Sequence, residues 1–176
     1  KLMAISNQIT PRRLNFILFA LAVAGMAFAL YLQHVVRLDP CPLCIFQRIG
    51  LVVMGVFALL NALINPKKLP AKLGLWLVSL LGIVWSVGVA ARHVWLTYLP
   101  ADKVPACGPG LNYWVETLPI LQVFTEVLKG SGECAVIDWT LFGFSLPELS
   151  LAFFSVLLAL HGWLLSLYLK NHTKSK

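Results

Sequence analysis

Residues 41–63 read CPLCIFQRIGLVVMGVFALLNAL, a two-cysteine motif running into an apolar stretch that carries one charge, Arg48. As a helix, 45–63 rises about 28 Å, close to the thickness of a bilayer's hydrocarbon core. Three more stretches are as long and as apolar, 14–32, 73–91 and 149–169, so the reading of this one extends to the whole chain. Of 176 residues 59% are apolar and 12% charged, against about 45–50% and 25% in soluble domains. A chain this small cannot hide that much apolar surface inside itself, and the surplus must face lipid. A soluble globule, a disordered chain and a small secreted disulfide scaffold are excluded. The expected fold is all-α: a four-transmembrane-helix bundle in one integral membrane domain over 1–176.

Charge placement sets the orientation. Loops 33–44 and 64–72 are short, and only 92–148 has room for structure. Lys1, Arg12, Arg13, Lys67, Lys68, Lys72, Lys170, Lys174 and Lys176 share one side with no acid. All seven acids fall on the other side with Arg37, Arg48, Arg92, Lys103 and Lys129. The basic side is cytoplasmic by the positive-inside rule, so both termini are expected there, with 33–44 and 92–148 outside. The net charge of +7 therefore reports topology, and neither zinc-finger spacing nor an RNP-like aromatic run points to nucleic acid. A signal peptide is the rival reading of the first span, since Arg12-Arg13, an apolar run and Ala27-Phe28-Ala29 imitate one. The run continues through Leu30, Tyr31 and Leu32, which favours a full span. Lys1 and Leu2, ahead of Met3, fit vector-encoded residues.

In the long loop, 111–128 mixes Tyr113, Trp114, Leu118, Ile120, Leu121, Val123, Phe124 and Val127 with Glu116 and Glu126, the pattern of one short interfacial helix. Pro119 should break or kink it, and Gly130-Ser131-Gly132 supplies a flexible joint before Cys134.

All four cysteines, Cys41, Cys44, Cys107 and Cys134, lie on the acidic side. Cys41-Pro42-Leu43-Cys44 has the spacing of dithiol redox centres, and in an oxidising compartment four thiols read as two disulfides, with three connectivities open. The motif meets the N-terminal turn of the second span, whose partial positive charge favours thiolate, the reactive form. If the helix begins this early, Arg48 shares a face with both sulfurs. An arginine inside a span costs about 2.5–3.5 kcal/mol at mid-membrane, so Arg48 reads as functional against the alternative of snorkelling to phosphates. A bridge between Cys107 and Cys134 would contribute about 3–4 kcal/mol by loop closure. Yet Pro105-Ala106-Cys107-Gly108-Pro109 is irregular and exposed, as befits a reducible bridge.

Other chemistries weigh less. A zinc site would draw on Cys41, Cys44, His34 and His93, but no second C-x-x-C or H-x₃₋₅-H completes a tight tetrahedron, and no metal is expected. Haem lacks both a C-x-x-C-H and histidines at one depth. His93, at the outer end of the third span, would hydrogen-bond a head group held near Arg48. His161 is expected to pack between helices, and the six tryptophans to act as anchors or packing residues.

Taken together, Gln33-His34, Pro40-Cys41-x-x-Cys44, Arg48, the two further cysteines in the second outer loop and four spans with both ends inside resemble the DsbB disulfide-bond-forming membrane oxidoreductases, over nearly the whole chain. The resemblance implies a multi-pass protein of the bacterial inner membrane, acting on its periplasmic side. It implies an enzyme that passes electrons from the periplasmic thiol oxidase DsbA to a quinone, ubiquinone or menaquinone. Cys41-Cys44 would be the quinone-linked pair, Cys107-Cys134 the pair attacked by DsbA, with Cys107 forming the mixed disulfide. Arg48 would bind the quinone, and His93 is carried over on its distance from the loop cysteine. The rivals are a non-enzymatic membrane scaffold braced by two disulfides, and a DsbB-like paralogue serving a specialised thiol oxidase.

Overall fold

A computed structural model describes residues 10–137 and 139–174. Lys1, Asp138 and Lys176 of the charge count, and the Lys1-Leu2 reading, lie outside the described residues. Four helices long and apolar enough to cross a membrane form the body: α1 Pro11–His34, α2 Pro42–Ile64, α3 Leu69–Thr97 and, after a folded loop, α6 Leu146–Lys174. Helix α1 starts where Thr10 accepts a hydrogen bond from Arg13 N and Pro11 occupies the first turn. Helix α2 stops at Asn65 in the left-handed conformation, a C-terminal stop suited to asparagine. Each helix outruns its predicted span, because capping and prolines set the ends while hydropathy sees only the part in lipid.

The helices close a ring in which α1 packs on α2, α2 on α3, α3 on α6 and α6 on α1. Leu14, Leu18, Met54, Ile83, Leu157 and Leu164 fill its centre. Ile17, Val23, Ile49, Val52, Leu81, Val84 and Val156 stay exposed around its outside, as lipid-facing residues should. Apolar packing cannot choose partners in lipid, so small residues and polar ties do. Ser79 donates to Met54 O at 2.9 Å and meets His161 Nε2 at 2.9 Å, which places His161 between helices as expected. At the basic end Asn15 donates to Tyr168 Oη at 2.8 Å and Arg12 to Ala62 O at 3.0 Å.

Helices α2 and α3 approach backbone to backbone. A Cβ on Gly82 would stand 2.8 Å from both Gly50 O and Met54 N. Gly82→Val is therefore expected to cost about 1–3 kcal/mol, read as a lowered thermal midpoint in detergent. Gly88→Ala, where a Cβ meets nothing within 4 Å, should leave the midpoint unchanged or raise it.

Because α3 continues to Thr97 and α6 begins at Leu146, the outer loop is shorter than the 92–148 read from hydropathy. It carries two short helices where one was expected, α4 Leu111–Thr117 and α5 Ile120–Lys129. Leu118 is extended at φ −115°, ψ 148°, as the residue before a proline prefers, and Pro119 has no N–H with which to continue α4. A 3₁₀ turn follows at Gly132–Ala135 and then a hairpin, β1 Thr140–Leu141 with β2 Phe144–Ser145. Phe142 and Gly143 both take positive φ, the tight turn that two-residue hairpins favour. Two-residue strands are too short for a period to show in sequence.

Candidate functional site

The outer ends of α2 and α3 carry a second apolar cluster, Leu43, Phe46, Val89 and Leu96, onto which the loop lays Trp114, Val123, Val127 and Cys134. Phe124 of α5 stands edge-on to Phe46 and Trp85. Arg92 completes the docking: Nε donates to Leu128 O at 3.1 Å and Nη2 to Lys129 O at 3.0 Å, with the guanidinium over Trp95. A cation on the last carbonyls of α5 satisfies groups the helix leaves open and matches its dipole. Gly130 then turns at φ +82° against Leu96, too close for a Cβ, and delivers the chain to Cys134.

That turn corrects one expectation. Gly130, Ser131 and Gly132 are buried, not a loose joint. Ser131 and Gly132 are held by Cys134 N to Ser131 O at 2.9 Å and Gly132 N to Ala106 O at 3.3 Å. The two loop cysteines consequently differ: Cys107 is exposed, while Cys134 is 1% exposed. Cys107 Sγ packs on Gly132, and Cys134 Sγ meets Ser131 Oγ at 3.8 Å in the cluster against which Cys41 packs. The neighbouring Cys41 and burial hold the Cys134 thiol well above its ordinary pKa. Since only thiolate reacts, iodoacetamide at neutral pH is expected to label Cys107 faster than Cys134 by on the order of 10-fold or more. Raising the pH should speed Cys134 only well above the usual thiol range. Peptide mass spectrometry of the reduced protein reads the order.

Cys41 is the N-cap of α2, with φ −65° and ψ 161°, and Cys44 lies in the first turn. Only Cys44 therefore shares the helical face with Arg48, since Cys41 precedes the helix. The four cysteines are unbridged, with Cys41 Sγ and Cys44 Sγ 3.2 Å apart. Beside them stands His93 of α3, buried, with Nε2 at 3.8 Å from Cys41 Sγ and Nδ1 at 3.9 Å from Cys44 Sγ. Gln47 Nε2 meets His93 Nδ1 at 3.3 Å. His93 is thus among the sulfurs themselves, closer than a role beside Arg48 implied. His34 is exposed in the last turn of α1 and joins none of these contacts.

Arg48 donates through Nη1 to Gln33 Oε1 at 2.5 Å and through Nη2 to Ala29 O at 3.3 Å. It is tied to α1 and not free to snorkel. Cys41, Cys44, Gln47, Arg48 and His93 line one end of a cavity of about 750 Å³ whose walls include Gly25, Phe28, Leu51, Phe153 and Phe154. Trp139 closes it near Phe28, with ring centroids 6.1 Å apart, a site position the reading of the tryptophans as anchors missed. Gln47 was missed too, although a glutamine three residues after Cys44 inside a span was a usable signal. The geometry offers three things: an exposed sulfur in Cys107, a buried one in Cys134, and two in Cys41 and Cys44 that line, with Arg48, Asp39 and Glu133, a cavity whose other walls are mostly apolar.

A family model described as disulfide bond formation protein DsbB matches residues 11–164. A Psychrobacter cryohalolentis protein named disulfide bond formation protein B is 58% identical over 153 residues, covering 86% of this chain and 87% of the relative. Proteins of the same name are 52% identical over 170 residues in Acinetobacter baylyi, covering 96% and 99%, and 45% over 158 residues in Chromobacterium violaceum, covering 89% and 94%.

Proposed function

Because the chain belongs to the DsbB family of disulfide bond formation proteins, a multi-pass inner-membrane protein, we propose that it reoxidises a periplasmic DsbA-type thiol oxidase and passes the electrons to a membrane quinone. The observation that carries this reading is the order of the sulfurs, from exposed Cys107 through buried Cys134, in the cluster against which Cys41 packs, to Cys41 and Cys44 in the cavity. Both termini then lie in the cytoplasm and the cysteines on the periplasmic side, in accord with the charge asymmetry.

DsbA is a strong oxidant, near about −120 mV, so restoring its disulfide needs an acceptor beyond ordinary thiols. In the exchange sequence the partner's thiolate attacks Cys107 Sγ of a Cys107–Cys134 disulfide and Cys134 leaves with the bond's electron pair. Cys134 attacks Cys41 Sγ of a Cys41–Cys44 disulfide, its neighbour in the same cluster, and Cys44 is the leaving group. The partner's second thiol resolves its bond to Cys107, and Cys107 takes up the electron pair. As Cys107 then displaces Cys41 from Cys134, the loop disulfide re-forms and Cys41-Cys44 becomes the dithiol.

The cavity suits a quinone, with donors at one end for the ring oxygens and apolar walls for an isoprenoid tail. Bound there, a quinone supplies an acceptor for two electrons and two protons, beside Cys44. Arg48 is poised to hold negative charge on Cys44 or on a ring oxygen with the N–H donors not spent on Gln33 and Ala29. With Gln47 donating to Nδ1, His93 keeps its proton on Nε2, facing Cys41 Sγ.

The test is oxidation of reduced DsbA by the purified protein in detergent, anaerobic and then with quinone, following thiol loss and quinone absorbance together. One quinone reduced per disulfide made is the expected result. A folded sample that changes neither, with more than one DsbA-type donor, leaves a scaffold braced by disulfides.

A further inference from the structure

We propose that in its dithiol form the same cluster is a soft-metal site, taking Zn²⁺ on Cys41 Sγ, Cys44 Sγ and His93 Nε2. Ligand atoms from the three residues lie within 4.8 Å of one another. A tetrahedral zinc with Zn–S near 2.3 Å and Zn–N near 2.0–2.1 Å needs its ligands roughly 3.5–3.8 Å apart. The sulfurs stand 3.2 Å apart, Nε2 is 3.8 Å from Cys41 Sγ, and Cys44 Sγ faces the other ring nitrogen, Nδ1, at 3.9 Å, so coordination needs the sulfurs to part by about half an ångström and the ring to turn Nε2 toward Cys44. The residues sit on the ends of two packed helices, Cys41 and Cys44 at the start of α2 and His93 in α3, so the set is preformed.

Gln47 provides the outer support that metal-binding histidines use. It contacts Nδ1, and once Nε2 coordinates, Nδ1 must carry the proton. An amide flip then turns Oε1 of Gln47 toward that N–H, fixing the tautomer. Binding displaces the two thiol protons and moves no electrons. Disulfide formation withdraws two electrons from the same sulfurs and must expel the cation, so metal and oxidation exclude each other. The predicted consequence, zinc inhibition of turnover, rests on the exchange reading above; the binding itself needs only the dithiol.

The experiment titrates Zn²⁺ into phosphine-reduced, anaerobic protein in detergent against a chromophoric chelator, with Co²⁺ as the spectroscopic probe. Expected are one zinc per chain, loss of binding on oxidation with diamide, affinity weakened at least about 10-fold in His93→Ala, and no change in Cys107→Ser. Co²⁺ on the unsubstituted chain should give thiolate-to-metal charge transfer and tetrahedral d–d bands, a readout that does not depend on how His93→Ala folds. An octahedral Co²⁺ spectrum without charge transfer, or equal zinc affinity with and without His93, overturns the site. Intact quinone-linked turnover with no zinc binding removes this inference alone, whereas zinc binding without turnover removes only the proposed reaction.

Discussion

Cys107→Ser is expected to abolish oxidation of a DsbA-type partner while quinone reduction driven by a small dithiol stays within about twofold of the parent. The largest effect expected of any single change falls here because the two loop cysteines are so unequally placed. Exchange requires in-line access to a sulfur, and a folded partner protein can reach Cys107, which is exposed, but not Cys134, 1% exposed within the 3₁₀ turn and packed with Val123 and Val127 of α5. Removing Cys107 therefore removes the entry point. It leaves untouched the cluster that holds Cys134 beside Cys41 and the cavity that holds Cys44. A small dithiol bypasses the loop and reduces Cys41-Cys44 directly. The two rates are read on one preparation, partner thiol loss by mass shift and quinone by absorbance. Equal loss of both would mean that the loop pair is needed to shape the quinone-linked pair, and the division of labour proposed for the sulfurs would fall.

The bundle was legible because hydropathy and charge are sums over many residues, and 14–32, 45–63, 73–91 and 149–169 each present the same signal about 20 residues long. The C-x-x-C and Arg48 were legible because their relation lies along one chain segment, where helical spacing predicts neighbours. What escaped the sequence lies across segments. His93 comes to the sulfurs only because α3 crosses α2 at the Gly50 and Gly82 contact, a close approach that no periodicity encodes. Cys134 reaches Cys41 because Arg92 and the Gly130 turn fix the end of α5. Glycine and serine in the 130–132 turn suggest mobility by composition, yet their small size is what lets the turn bury itself against Leu96 and Cys107.

Arg48→Ala should raise the apparent KM for quinone roughly 10- to 100-fold while leaving exchange between Cys107-Cys134 and the partner within about twofold. A guanidinium that makes a hydrogen bond to a developing negative charge contributes about 1.5–3 kcal/mol, and about 1.4 kcal/mol is a factor of ten in binding. The effect should appear mainly in KM because Arg48 lines the cavity beside Cys44, whereas the entry sulfur lies in the outer loop. Two companion substitutions separate charge from aim. Gln33→Ala keeps the charge but removes the acceptor that anchors Nη1, and should raise KM by a smaller factor of about 3–10. Arg48→Lys also keeps the charge, but one ammonium cannot reproduce the planar fork that spans Gln33 Oε1 and Ala29 O while still presenting donors to the cavity. It should therefore fall nearer to alanine than to arginine. If lysine restored KM in full, a positive charge alone would suffice and the α1 tether would be packing. If alanine left KM unchanged, Arg48 would have no part in holding quinone, and its cost within the span would need another explanation.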